Sequence, residues 1–431
     1  MFTLYLNNFR GFDKTYIPIK KITFFVGENS TGKTSILKLL KILSSPNFVF
    51  SGDLNGSDID LGYFDEISSK HYPKRKYFEV GILENEKLQG VKYKYTKKEA
   101  FPFLTEINLI NDKINIQFVF KEKNVKYRYR QVNLDNISDD YQFLTNWFND
   151  NGLKNKSYVG DDMNEPFTKG FPNLYFVFSK VEKQIGYDLD PFQLFRSFSF
   201  TRDITWFSPI RTEPRRTYDS YKSAFDPSGA HMPYLLKNLL TSKSGSPKTK
   251  IERALNKFGK DSGLFQRIKV NILGKSDTSP FEVQIQVSGN LLKITNVGYG
   301  LSQILPLIIE IISRPHESWF AIQQPEIHLH PKAQAAFGDL IYKSADIDNK
   351  FFIIETHSDY LIDRYRLKLN QKKRKKDINE QSNAQIVFFN RKENGNQINC
   401  IEINSDGSIS DEQPTTYKEF FIKEELDLIK I

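Results

Sequence analysis

One octapeptide constrains this chain more than any other feature. Residues Gly27-Glu28-Asn29-Ser30-Thr31-Gly32-Lys33-Thr34 follow the spacing G-x-x-x-x-G-K-T. They stand between a strand-like apolar run, residues 16–26, and Ser35-Ile36-Leu37-Lys38-Leu39-Leu40-Lys41-Ile42-Leu43, whose apolar residues recur at helical spacing. The order strand, glycine-bearing loop, helix has a physical consequence. Glycines let the backbone curl until successive N–H groups converge, and the helix turns its positive dipole end toward the same point. Such a loop binds phosphate. Lys33 supplies a charge between the β and γ phosphates, and Thr34 offers a hydroxyl to Mg²⁺. Residues 27–35, with Ser35 included, form the expected cofactor-binding set, and ATP with Mg²⁺ is the expected cofactor.

Three further clusters share the chain. Asn296-Val297-Gly298-Tyr299-Gly300-Leu301-Ser302-Gln303 precedes a helical pattern at 304–312. Two glycines, a hydroxyl and an amide at a helix start make a second anion cradle, although Ser302 as an ordinary N-cap accounts for the same residues. Trp319-Phe320-Ala321-Ile322 ends in Gln323-Gln324-Pro325-Glu326, followed by Ile327-His328-Leu329-His330-Pro331. Phe351-Phe352-Ile353-Ile354 ends in Glu355-Thr356-His357-Ser358-Asp359. Both are apolar strands that stop in polar residues.

The rest of the chain fills in a fold class. Residues 2–9 read as a strand, and partial alternation over 74–132 predicts an antiparallel meander. Residues 135–200 read as a mixed insertion. Residues 230–260 read as helical, with 241–250 a loop by composition. Helix, strand, helix, strand over 302–312, 319–323, 332–343 and 351–354 predicts an α/β core that includes the N-terminal strand and loop. The expected segments are an N-terminal lobe at 1–73, an antiparallel β region at 74–134, an insertion with a helical subdomain at 135–290, a C-terminal lobe at 291–366 and terminal strands with a helix at 367–431.

Net charge is +9 over 431 residues. That balance favours contact with DNA or another polyanion, or marks a lysine-rich surface. The run Lys372-Lys373-Arg374-Lys375-Lys376 reads as a solvated loop, with a phosphate-backbone contact as the alternative. A single cysteine, Cys400, permits no disulfide within the chain and suits a reducing cytoplasm. No signal-peptide pattern and no apolar stretch long enough to span a membrane is expected.

Taken in order, the four clusters resemble the ABC-type ATPases of the SMC, RecF and OLD kind, and nearly the whole chain takes part in the likeness. The strings Pro325-Glu326-Ile327-His328-Leu329-His330-Pro331 and Glu355-Thr356-His357-Ser358-Asp359 look like a bacterial OLD-related subgroup. So do Val297-Gly298-Tyr299-Gly300-Leu301-Ser302-Gln303, the segments 208–216 and 226–229, and the C-terminal 417–425. The resemblance implies an ABC-type P-loop NTPase core with an antiparallel β subdomain and a mixed α/β insertion. It implies that Gly300, Ser302 and Gln303 cap the γ-phosphate of ATP on another subunit, so that the chain works as a homo-oligomer, at least a head-to-tail dimer. It implies that His357 senses the γ-phosphate. Members of the subgroup occur in anti-phage systems beside a separate nuclease, as in Septu and PARIS. A repair ATPase of the SMC or RecF kind, binding DNA directly, is the competing expectation. A nuclease module within the chain is disfavoured, because only about 75 residues follow His357.

The sequence departs from that family at one point. Where the strand usually ends in Asp-Glu-Pro or Glu-Gln-Pro, Gln323 replaces the metal-side acid and Gln324 the catalytic Glu. An amide orients water but takes no proton from it. If the segment stays extended, Gln324 and Glu326 share a side, and Glu326 is the candidate general base; a structural acid is the other reading. The expected outcome is ready ATP binding and slow hydrolysis. Arg10 is a candidate nucleotide contact or a surface residue, and Asp65 stands where a Q-loop would fall. Arg211, Arg215 and Arg216 are candidates to bind phosphate, DNA or a partner protein, with pairing to acids the preferred expectation. His328 and His330 are expected to be loop and interface residues rather than metal ligands.

Overall fold

A computed structural model describes residues 1–56, 59–84, 86, 88–112, 114–120, 125–132, 140–149, 159–163, 203–219, 224–241, 245–276, 278–375, 383–410, 413–414, 416–417 and 419. The chain forms two compact units. The first comprises Met1–Lys20, Glu28–Ile204 and Phe389–Cys400, and the second Lys21–Gly27, Thr205–Phe388 and Ile401–Ile431.

The first unit is built on an eight-stranded sheet. Its strands are β1 (Phe2–Asn7), β2 (Thr15–Ile19), β4 (Tyr77–Glu84), β5 (Gln89–Lys98), β6 (Phe101–Ile110), β7 (Ile114–Phe120), β8 (Val125–Gln131) and β9 (Val159–Met163). Their spatial order is β2-β1-β4-β5-β6-β7-β8-β9, with antiparallel pairing throughout. The meander expected over 74–132 is therefore present, as β4 to β8. Its helices are α1 (Lys33–Leu43), α2 (Pro46–Ser51), α3 (Phe64–Ile67) and α4 (Asp140–Asn149). Leu144, Trp147 and Phe148 of α4 pack with Tyr5, Leu83, Leu88 and Ile110.

A second, six-stranded sheet has the order β10-β14-β15-β3-β16-β17; most of it belongs to the second unit, while Phe389–Lys392 of β16 and Gly395–Cys400 of β17 are counted in the first. Its strands are β3 (Ile22–Gly27), β10 (Ile204–Phe207), β14 (Trp319–Gln323), β15 (Phe351–Glu355), β16 (Ala384–Lys392) and β17 (Gly395–Ile403). A small sheet of β11 (Arg267–Ile272), β12 (Phe281–Val287) and β13 (Asn290–Lys293) lies in the second unit. The helices of that unit are α5 (Met232–Thr241), α6 (Gly245–Ser262), α7 (Tyr299–Ser313), α8 (Pro331–Ile347) and α9 (Asp359–Lys375). Strands β14, β15 and β3 pair in parallel. Parallel strands are covered on both faces, which is why they read as unbroken apolar runs rather than as alternation. The fold is α/β, as expected.

Three local expectations fail for identifiable reasons. The loop expected at 241–250 is helical from Gly245, because Leu255 and Phe258 of α6 are buried in the core and that burial outweighs the Gly-Ser-Pro start. Pro247 falls in the first turn, where a missing N–H costs nothing. The helix expected from residue 302 begins at Tyr299. Lys372–Lys375 of the basic run extends α9 rather than forming a loop, for Lys372 bonds Asp346 (2.6 Å) and Lys373 reaches Asp406 (3.5 Å). Most of the expected insertion at 135–200, Lys376 and most of 417–425 lie outside the described residues. Among the described residues no helix is long and apolar enough to cross a membrane.

One buried polar cluster ties a loop to α7. His231 Nδ1 accepts the Asp226 amide (3.0 Å), so Nε2 carries the proton and donates to Glu310 Oε1 (2.6 Å). Arg314 Nε donates to the other Glu310 oxygen (2.5 Å). Burial alone would raise the Glu310 carboxyl, but the His231 bond and Arg314 outweigh it and hold the carboxyl below its ordinary value. The stability it contributes is thus complete above the ordinary carboxylate range and is lost as pH falls through the folded value. Glu310→Ala should lower stability by about 3 kcal/mol, the cost of breaking a buried pair. Urea unfolding measures this, and the acid-side fall in stability should be shallower in the variant than in the parent.

Candidate functional site

The loop after β3 takes the shape its glycines permit. Gly27 (φ 133°), Ser30 (φ 61°) and Gly32 (φ 92°) all have positive φ. A Cβ at Gly32 would lie 2.7 Å from the Phe12 ring, so the residue is required by space as well as by φ. Lys33 Nζ and Thr31 Oγ1 both donate to the Glu28 carbonyl, at 2.6 and 2.8 Å. Gly32 caps α1 without a side-chain bond to its first turn. Positive-φ backbone, an amide-rich helix start and a lysine folded over the loop suit a polyphosphate. Thr34 stands in that first turn, where a hydroxyl suits Mg²⁺.

Residues distant in sequence brace the loop, and the sequence alone did not reveal them. Asn396 Nδ2 donates to the Thr31 carbonyl (2.8 Å), and its backbone N–H donates to Gly11 (2.7 Å). Arg391 Nη2 donates to the Ser30 carbonyl (3.2 Å), and the Glu28 N–H to Phe389 (3.2 Å). An asparagine in a polar strand end carries no spacing signal that would mark it for this task.

In the second unit the parallel register levels three strand ends. Gln323 stands opposite Glu355, and Glu355 opposite Phe25 of β3. Ligands of open parallel sheets bind beyond such carboxyl ends. Gln323 is buried, and so is Glu355, a carboxylate one strand away. Glu355 was not among the residues singled out by pattern.

The chain does not stay extended after Gln323. Gln324 has φ 42°, and residues 325–328 form a turn. The premise that placed Gln324 and Glu326 on one side therefore fails, because the strand path ends at Gln323. Glu326 lies in the turn, where its Oε1 accepts the His357 N–H (2.7 Å). Burial pushes its carboxyl above the ordinary range, against the His357 amide, its own backbone amide, the Thr356 hydroxyl and, least of these, the positive charge of Arg211.

The α7 start differs from a simple cap. Gly298 is the N-cap, and Ser302 sits inside the first turn with its hydroxyl on the Tyr299 carbonyl (2.7 Å). The N-cap reading of Ser302 is thereby replaced. A Cβ at Gly300 would lie 2.3 Å from the His328 carbonyl, so this glycine lets the α7 start approach the β14–α8 turn. Gln303 is buried and accepts the Arg211 amide through Oε1 (3.2 Å).

The remaining candidates separate. Arg211 is buried, and its Nη2 donates to the Gln323 carbonyl (3.2 Å). Burial lowers its guanidinium to about 10, opposed by Glu326. Arg215 and Arg216 are exposed and, among the described residues, form no ion pair, so the expected pairing with acids fails for both. Arg10 directs Nη2 at the Leu61 carbonyl (2.8 Å). Asp65, in α3, pairs with Lys97. His330 Nδ1 caps α8 by accepting the Ala333 N–H (3.3 Å), and the exposed His328 ring meets Tyr299 edge-on. Among the described residues no cluster of three metal-ligating side chains occurs.

A family model described as AAA ATPase domain matches residues 1–362. Among curated proteins, none matches the sequence. Several solved structures are similar. An SMC head bound to the C-winged helix domain of ScpA is 14% identical, covering 93% of this chain and 97% of that one at a TM-score of 0.40. An SMC head domain from Thermotoga maritima is 11% identical, covering 93% and 98% at 0.36. An SMC head domain with an extended coiled coil, bound to the C-terminal domain of ScpA and derived from Pyrococcus furiosus, is 13% identical, covering 99% and 100% at 0.38.

The brace on the loop has a measurable consequence. Asn396→Ala removes the bond to the Thr31 carbonyl, worth about 1 kcal/mol. Affinity for a fluorescent ATP analogue should fall roughly fivefold while the melting temperature stays near that of the parent. An unchanged affinity would show that the loop holds its shape unaided.

Proposed function

We propose, from the premise that this chain belongs to the AAA ATPase domain family, that it is an ABC-type ATPase that uses ATP binding more than ATP turnover. The observation that carries the reading is the loop itself: Lys33 folded onto the Glu28 carbonyl at 2.6 Å, in front of a helix start with no side-chain cap. The Glu28–Thr34 backbone and Lys33 receive the phosphates, and Thr34 contributes a hydroxyl to Mg²⁺. Mg²⁺, when bound, neutralises charge on the phosphates.

Gln323 has an uncharged amide where the family has an acid, which supports weak metal holding by this strand end. Gln324 orients the attacking water without accepting its proton. Glu326 already has one oxygen on the His357 amide, and this supports a holding role for it rather than proton abstraction. His357 is assigned to sensing the γ-phosphate. Each chain has one phosphate loop and one Gly300-Leu301-Ser302-Gln303 segment, so we assign the second to ATP on another copy, in a head-to-tail dimer or larger assembly held by ATP.

From the OLD-like resemblance we further propose that the assembly works in the cytoplasm, regulating a separate nuclease in anti-phage defence. The net charge of +9 favours one alternative, direct DNA binding as in repair ATPases of the SMC or RecF kind.

Two experiments test these readings. Lys33→Ala should weaken ATP binding about 30-fold, the loss of a charge-assisted bond of roughly 2 kcal/mol. It should also change the activity of a nuclease that co-purifies with the chain. Purification without a nuclease, together with ATP-dependent binding to DNA ends, would favour the repair reading instead. For turnover, the parent should hydrolyse ATP well below about 10 s⁻¹. Gln324→Glu restores a base and should raise kcat by about 100-fold. A parent that is already fast, or a Gln324→Glu variant no faster, would sink the claim that the amides limit hydrolysis.

A further inference from the structure

Arg211 is only 2% exposed, although its neighbour Ile210 is 79% exposed. A guanidinium has five N–H donors, and a buried one ordinarily meets them. This one makes a single side-chain bond, from Nη2 to the Gln323 carbonyl at 3.2 Å. Its Nε and Nη1 have no partner. Two residues coupled to it share the condition: Gln303 Nε2 is an unmet donor, and Glu326 Oε2 an unmet acceptor. Among the described residues, four of the ten buried side-chain polar atoms without a partner belong to these three residues. Low polarity around them makes each unmet group costly, so such a concentration calls for a second arrangement in which the groups are met.

The connections define that arrangement. The Arg211 backbone N–H donates to Gln303 Oε1 in the first turn of α7, and its guanidinium rests on the end of β14. Its charge acts on Glu326, whose other oxygen holds the His357 amide.

We propose that Arg211 is a positioning residue with two seats, the Gln323 carbonyl and Glu326 Oε2. Movement between the seats couples the first turn of α7 to the backbone of His357. When the α7 turn shifts, Gln303 pulls on the 211 backbone, and the guanidinium moves from the strand end to the carboxylate. Glu326 then carries the Arg211 pair on one oxygen and the His357 amide on the other, which fixes the His357 loop. No bond is made or broken, and no proton leaves the three residues. The inference deepens the ATPase reading above and rests on it for its consequence in turnover.

The test uses the full chain with Arg211→Met, Arg211→Lys, Glu326→Gln and the double variant Arg211→Met/Glu326→Gln. Steady-state hydrolysis gives kcat and KM, and a fluorescent ATP analogue gives Kd. Arg211→Met should lower kcat about tenfold while KM and Kd change less than about threefold. The double variant should be no slower than Glu326→Gln alone, because the partner is already gone, and Arg211→Lys should recover part of the rate. Losses that multiply in the double variant, or a loss that falls on Kd, overturn the proposal; a water bridging the groups without coupling them would give that multiplied result.

Melting temperatures of the same set need no nucleotide. Each single variant should melt lower, and the double variant should melt above the sum of the two losses, since it leaves no unpaired buried charge. Additive losses overturn the pairing even if the chain proves not to be an ATPase, while Kd unaffected by Lys33→Ala overturns only the ATPase reading. If Arg211→Met does not fold, the cycle is closed with Arg211→Lys and Glu326→Gln, and the same non-additivity decides.

Discussion

The second unit depends on the parallel register of β14, β15 and β3. Backbone hydrogen bonds set Gln323, Glu355 and Phe25 level with one another. Because successive parallel neighbours project side chains to the same face, alternate apolar residues of these strands enter one core, and β14 and β15 end level with each other in Gln323 and Glu355. The core residues Phe24, Ile322 and Ile354 belong to one cluster, which anchors the level at which the strands end. A one-residue slip would carry Phe24, Ile322 and Ile354 out of that cluster to the opposite covered face, so the level of the strand ends is held by the packing of these side chains. Chemistry at the strand ends is in this sense a product of the core.

Much of this was legible in the sequence, for reasons that differ by element. The phosphate loop was readable because its residues act through backbone geometry at fixed spacing. Strands β3, β14 and β15 were readable because burial on both faces leaves unbroken apolar runs. The α6 helix was hidden: its first residues are Gly, Ser and Pro, and only contacts made by Leu255 and Phe258 override them. Lys372 and Lys373 were read as solvated because their partners, Asp346 and Asp406, lie 26 and 33 residues away.

The site divides in the same way. The types of residue at 323, 324, 326 and 357 could be read, but not the path between them. A positive φ at Gln324 bends the chain away from the extended course that alternation assumes. That bend turns Glu326 from a neighbour of Gln324 into a partner of the His357 amide. Arg211 looked like one of three similar arginines. Only burial separates it from Arg215 and Arg216, and burial of a charged residue is the property that composition and periodicity predict least.

The brace on the phosphate loop bears on how the chain matures during synthesis. Thr31 and Asn396 are 365 residues apart, and Ser30 and Arg391 are 361 apart. At translation speeds of about 5–20 residues per second, the loop waits roughly 20 to 70 seconds on the ribosome before its support emerges. A nascent chain in that interval has the phosphate-binding motif but not the residues that hold it in shape. The final shape of the loop is thereby set only after the several hundred residues between it and its braces have been made.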